Sequence, residues 1–192
     1  MMLYAQVHLT LPAWVHDAVD SGRAYASDAD KIRLAIELSR HNIDADSGGP
    51  FGAAVFGPDD RIIAVGVNRV VPHACSVAHA EMMAYMLAQG RTQRLRLNRD
   101  ADDNAIGPIT LATSAQPCCQ CYGATIWAGI DRLLIGARSQ DVEALTEFDE
   151  GPLPADWIGE LGKRGIEVVR DIERDAACAV LRAYGERGGP NY

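Results

Sequence analysis

The sequence predicts an α/β protein, a mixed sheet with helices on both faces. Three observations carry this. Short apolar runs alternate with helical stripes in the order α-ββ-α-β-α-β-α-β-α. The runs at 53–56 and 62–67 are joined by Gly57-Pro58-Asp59-Asp60, turn chemistry that implies an antiparallel hairpin. The later strands are connected through helices, which implies parallel neighbours. The chain has 192 residues, 48% apolar and 23% charged, ordinary values for one globular domain with a sizeable core.

Each element has its own signal. Residues 1–27, with Pro12-Ala13-Trp14-Val15 in a mixed polar stretch, read as an N-terminal arm. A helix opens at Asp28, capped by Ser27 or by Asp28 itself. Ile32, Ala35, Ile36, Leu38 and Ser39 form its stripe, and Ser47-Gly48-Gly49-Pro50 stops it. After the hairpin, 79–89 is a helix ended by Gly90, with Met82, Met83 and Met86 read as core. Residues 91–107 are polar, a surface helix or loop. A strand at 109–113, a helix at 118–128 closed by Gly129, and a strand at 132–136 follow. A short helix at 141–146, a Pro-containing loop at 151–154, a helix at 155–163 and a strand at 166–169 come next. A final helix from about 170 to 187 ends in a Gly-Gly-Pro-Asn-Tyr tail. The chain thus divides into an arm at 1–27, a domain at 28–170 and a C-terminal segment at 171–192.

Composition narrows the function classes. No apolar run approaches the roughly 20 residues of a membrane span, and the start, Met1 to Gln6, does not read as a signal peptide. Eighteen basic against 26 acidic residues give a net charge of −8, poorly suited to nucleic acid or an anionic membrane surface. Five cysteines, three of them within 118–121, do not fit a disulfide scaffold. They point to metal or redox chemistry in a reducing cytoplasm. Cys75 and Cys178 read as ordinary buried small residues.

Two clusters carry the chemistry. His79-Ala80-Glu81 opens one helix and Pro117-Cys118-Cys119-Gln120-Cys121 opens another. Helix N-termini carry partial positive charge and free N–H groups, which favour thiolate over thiol. One imidazole and two thiolates, His79, Cys118 and Cys121, are a ligand set that zinc favours. With no obvious fourth ligand, the set is that of a catalytic site open to water. A bound metal makes water a nucleophile near neutral pH, and Glu81 beside it can move the proton. His-x-Glu followed by Pro-Cys-x-x-Cys is the zinc deaminase pattern, in which the Glu is acid/base and not a ligand. A redox CxxC, or zinc kept only for stability, are the competing readings of the same residues. Adjacent helical positions diverge by about 100°, so Cys119 should point away from Cys118.

From about residue 28 onward the chain resembles the cytidine deaminase-like superfamily. Pro50-Phe51-Gly52-Ala53, Asn68-Arg69, His79-Ala80-Glu81 and Pro117-Cys118-x-x-Cys121 fall in that family's order. Within it the chain is most similar to bacterial guanine deaminases, through the runs 137–144, Phe148-Asp149-Glu150-Gly151-Pro152 and 174–178. The resemblance implies a three-layer α/β/α fold with a five-stranded mixed sheet. It implies a Zn2+ cofactor on His79, Cys118 and Cys121, and Glu81 as proton shuttle. Glu143 matches a second catalytic carboxylate, and Asn68 and Phe51 match substrate-binding positions. Gln116 stands where the family usually has Glu. The implied reaction is hydrolysis of guanine, a free purine base, to xanthine and ammonia. An ammeline-like triazine, cytosine, a nucleoside, a tRNA adenosine or a non-catalytic zinc module remain as alternatives. The family also implies a homodimer in which C-terminal segments are exchanged, since a terminal helix with few core contacts needs its apolar face covered.

Overall fold

The computed structural model describes residues 6–192; Met1 to Ala5, the start of the expected arm, lie outside the described residues. Five strands form one mixed sheet in the order β2-β1-β3-β4-β5. Helix α1 (Val15–Ala18) precedes α2 (Asp28–Asp44), then the hairpin β1 (Gly52–Phe56) and β2 (Ile62–Val67). Next come α3 (Val70–His73), α4 (Ala80–Thr92), β3 (Thr110–Ala115), α5 (Cys119–Ala128) and β4 (Arg132–Ala137). The chain finishes through α6 (Ser139–Thr146), α7 (Trp157–Gly162), β5 (Glu167–Val169) and α8 (Arg174–Glu186). β1 is antiparallel to both β2 and β3, whereas β3, β4 and β5 run parallel.

The sheet's period of two makes two cores. Ala54 and Phe56 of β1 face the layer of α2, which α8 continues over β4, while Ala53 and Val55 face α4. Leu134 and its neighbours Leu133 and Ile135 divide the same way. Fully burying a Leu or Ile contributes roughly 1.5–3 kcal/mol over leaving it exposed, so the two layers are the fold's main support. The expected stripe of α2 holds: Ile32, Ala35, Ile36, Leu38 and Ser39 are all buried. Ser27 caps that helix, its hydroxyl accepting from the Asp30 N–H at 3.0 Å.

Two glycines let the helices sit directly on the hairpin. A Cβ at Gly52 would lie 2.3 Å from the Ala35 carbonyl oxygen of α2. One at Gly66 would lie 2.0 Å from the Ala80 oxygen of α4. The second contact seats the first turn of α4, which carries Glu81, against the end of β2.

Several expectations are corrected. The arm contains α1, and α3 lies between β2 and α4. α4 passes Gly90 and ends at Thr92, with Gln93 taking the left-handed turn at φ 55°. Gly90 faces open space, and one exposed helical glycine costs only about 1 kcal/mol. The last helix starts at Arg174, not near 170, because Asp171 (φ 67°) and Glu173 (φ 52°) are left-handed and cannot join it. Arg138 holds that turn with two hydrogen bonds of 2.7 Å to Asp171. α8 does not lack core contacts: Ala177, Val180, Leu181 and Tyr184 are buried against the same chain. Met83 is buried as expected, but Met86 is exposed. Cys75 and Cys178 are half-buried. Among the described residues, no helix is long and apolar enough to cross a membrane.

Candidate active site

The parallel strands β3 and β4 end side by side, with Ala115 opposite Ala137. The Gln116 N–H donates to the Ala137 oxygen at 2.8 Å, and Pro117 then turns the chain into α5. Cys118 is the N-cap of α5 and His79 the N-cap of α4, both in extended geometry. The two helix N-termini therefore meet at the end of the sheet, as open α/β folds place their sites.

His79, Cys118 and Cys121 bring one ligand atom each to within 4.8 Å of one another. His79 Nδ1 lies 3.5 Å from Cys118 Sγ and 3.6 Å from Cys121 Sγ. Zn–S near 2.3 Å and Zn–N near 2.1 Å around a tetrahedron require N···S edges of about 3.6 Å. The donor set and its spacing fit zinc. The Cys118 thiol pKa is pulled down to about 4, first by the hydrogen bond from Cys121 and further by His79. It is poised to enter a metal site as thiolate. Cys119 is exposed and outside the cluster, as its helical position requires.

Glu81 is buried in the first turn of α4. Its Oε2 lies 3.4 Å from Cys121 Sγ, and Thr113 Oγ1 donates to Oε1 at 3.3 Å. Burial raises its pKa, with the negative charge of Cys118 adding to the effect. Glu81 is outside the ligand cluster, which leaves its carboxylate free for proton transfer.

A small cavity of about 40 Å³ opens beside the cluster. Phe51, Asn68, His79, Glu81 and Cys118, all singled out in the sequence, line it. Cys121 sits beneath, fully buried. Asn68 Oδ1 accepts from the Val70 N–H at 3.1 Å, which leaves its Nδ2 without a partner among the described residues and next to the cavity.

Glu143 does not reach this cavity. Val142 and Thr146 turn inward on α6, so Glu143, one position from Val142, is exposed. The structure brings Glu150 there instead. The residue is buried at the cavity wall. Its pKa is raised to about 8, first by burial and then by the charges of Cys118 and Glu81. The sequence carried no signal for it: Glu150 is one of several acids at 141–150, and only the fold buries Phe148 and Glu150 while leaving Glu147 and Asp149 exposed. Phe148 and Tyr192 also line the cavity and had no assigned role. The Phe148 ring lies 5.4 Å from Phe51 and 4.8 Å from Tyr192, which reaches the cavity from the C-terminal tail.

A cluster of three zinc-type ligands at two facing helix N-termini, with no fourth protein ligand among the described residues and a buried carboxylate beside it, is the architecture of a zinc-dependent deaminase. The family model for the cytidine and deoxycytidylate deaminase zinc-binding region matches residues 26–137, and the chain belongs to that family. It is a hydrolase acting on carbon–nitrogen bonds of cyclic amidines. The chain is 44% identical to guanine deaminase from Nitrosomonas europaea, covering 97% of this chain and all of that one at a TM-score of 0.87. A variant protein solved in complex with 8-azaguanine is 45% identical over 94% of this chain and 98% of its own, at a TM-score of 0.86. A probable cytosine deaminase of Schizosaccharomyces pombe is 30% identical over 162 residues, 82% of this chain and 91% of the relative.

Proposed function

We propose that this enzyme hydrolyses guanine to xanthine and ammonia. The observation that carries the proposal is the lining of the cavity: Phe51 and Phe148 wall it, Asn68 offers a donor, and Glu81 and Glu150 offer acceptors. A flat heteroaromatic ring with N–H groups and ring acceptors suits these partners. The likeness to a guanine deaminase over nearly the whole chain supports the choice of ring.

His79, Cys118 and Cys121 would hold the zinc, which supplies the Lewis acidity that lets water ionise near neutral pH. Asn68 donates from Nδ2 to a ring acceptor. Glu81 takes one proton from the attacking water and passes it to a ring nitrogen, then takes the second from the hydroxyl left on the attacked carbon and gives it to the amino group, which leaves as ammonia while the new C=O forms. Glu150, rather than Glu143, is the second carboxyl group: it faces the same cavity, its carbonyl oxygen accepts from a ring or amino N–H, and with its pKa raised to about 8 it can hold a proton there. Tyr192 covers the cavity from the tail of residues 171–192, and it must withdraw for a base to enter, since the space left is little more than a water needs. The domain at 28–170 thus works with its C-terminal segment, and the N-terminal arm adds Val15 and Tyr25 to the same core.

The enzyme acts as a homodimer in the cytoplasm. Met86 and Leu87 on α4 and Trp127 on α5 are exposed large apolar side chains that a second copy would cover. All five cysteines are free, as a reducing compartment requires.

Turnover of guanine, 2,6-diaminopurine, ammeline, cytosine, cytidine and guanosine tests the substrate. Guanine is expected to have the highest kcat/KM, and preference for cytosine or a nucleoside contradicts the proposal. In the same assay Glu150→Gln is expected to lower kcat at least ~10-fold, about 1.4 kcal/mol of transition-state stabilisation. Glu143→Gln is expected to change it little. A larger loss at Glu143 would reverse the assignment.

A further inference from the structure

Phe51 and Asn68 reach the cavity from two separate backbone segments, the Gly48–Phe51 turn after α2 and the end of β2. The ladder between them stops early. β1 and β2 pair up to Gly52 and Val67, and the Asn68 N–H donates to the Phe51 oxygen at 3.1 Å. Beyond that point the carbonyls of Gly49 and Asn68 are buried and outside the sheet. One side chain ties the two together: Asn42 Nδ2, on α2, donates to Asn68 O at 2.9 Å and to Gly49 O at 2.8 Å, where it joins the Phe51 N–H at 2.9 Å.

Asn42 is fully buried and does not line the cavity. The orientation of its amide is fixed from the other end, where Ser47 Oγ donates to Oδ1 at 2.8 Å. Ser47 Oγ in turn accepts from Trp14 Nε1 at 3.0 Å, which ties the N-terminal arm to the same network. No side chain could share the space: a Cβ at Gly48 would lie 2.0 Å from Asn68 O and 2.7 Å from Asn42 Nδ2.

We propose that Asn42 is a positioning residue for substrate binding: its amide clamps the segments that carry Phe51 and Asn68 and so sets their spacing, and Ser47 and Trp14 lock it in place. The inference rests on the reading that Phe51 and Asn68 hold the ring. Without the Asn42 amide, the buried Asn68 carbonyl loses its donor and the Gly49 carbonyl keeps only the Phe51 N–H, so the tie between the two segments is lost and the Asn68 end must shift to find another partner. That shift moves the ring-binding groups. It leaves the ligands His79, Cys118 and Cys121, and the proton-carrying Glu81, where they are.

The test compares Asn42→Ala, Ser47→Ala and Ser39→Ala with the wild type. Each is assayed for zinc content, for KM and kcat on guanine, and for affinity toward 8-azaguanine by calorimetry. Asn42→Ala is expected to keep its zinc, to raise KM and the 8-azaguanine Kd at least ~10-fold, and to hold kcat within about threefold. Ser47→Ala is expected to raise both about threefold, and it decides the matter if Asn42→Ala does not fold. Ser39 is equally buried on the same helix, but its hydroxyl bonds only within that helix, to the Ile36 oxygen at 2.7 Å. Ser39→Ala is expected to lose stability with KM unchanged, which separates positioning from mere support of the fold. A folded, zinc-loaded Asn42→Ala with wild-type KM and Kd overturns the inference, and so does Ser47→Ala with wild-type values where it stands in. A wild type that neither turns over guanine nor binds 8-azaguanine overturns the functional reading, and this inference with it.

Discussion

Glu81→Gln is expected to keep zinc and fold while losing ~10²–10⁴-fold in turnover, the usual contribution of a general acid–base residue. Glutamine has the same shape, and the Thr113 hydroxyl that donates to Oε1 at 3.3 Å can still donate to an amide oxygen. The metal set is untouched, because His79, Cys118 and Cys121 are complete without Glu81. What disappears is the only function an amide cannot supply, binding and releasing a proton. The metal content and guanine turnover of the purified variant decide this. A zinc-loaded variant with near-normal turnover removes Glu81 from the mechanism. A variant that has lost its zinc makes Glu81 a ligand.

The second large effect lies in the ligands themselves. Cys118→Ser or Cys121→Ser is expected to bring retained zinc below about one tenth of the wild-type content, because a neutral hydroxyl is a poor replacement for thiolate. Cys121 is fully buried, so no solvent-exposed group can take over its place. Cys119→Ala is the control. It removes a thiol from the same helical turn but from its exposed side, and full metal content is expected. Metal loss from Cys119→Ala with retention in Cys118→Ala would reassign the site.

The sequence made the sheet legible where physics is local. Hairpin chemistry at 57–60 and the α2 stripe both appear in the structure. Helix ends were less legible. Gly90 looks like a stop, yet Gln93 supplies the left-handed residue, because a glycine on an open helix surface is tolerated. The start of α8 depends on Asp171 and Glu173 taking φ > 0, held by an ion pair from Arg138, a contact far away in the chain.

The site shows the same division. His79, Glu81, Cys118 and Cys121 stand in short motifs at helix starts, so their proximity follows once the strands are parallel. Glu143 and Glu150 lie in one acidic stretch, and composition cannot separate an exposed carboxylate from a buried one. Only the rotation of α6 and the extended run after it place Glu150 at the cavity. Tyr192 was illegible for a related reason, since a tail's destination depends on where its last helix packs. The dependence of Phe51 and Asn68 on Asn42 is a buried tertiary contact with no motif to announce it.

Ammonia and xanthine formation from guanine, followed before zinc removal by a chelator, after it, and after zinc is restored, tests the central claim most directly. Stoichiometric release of both products is expected from the zinc-loaded protein, none from the stripped protein, and recovery on return of one zinc per chain. Turnover that persists in the fully stripped protein, or a restored protein that binds one zinc per chain and leaves guanine unchanged, would contradict the account.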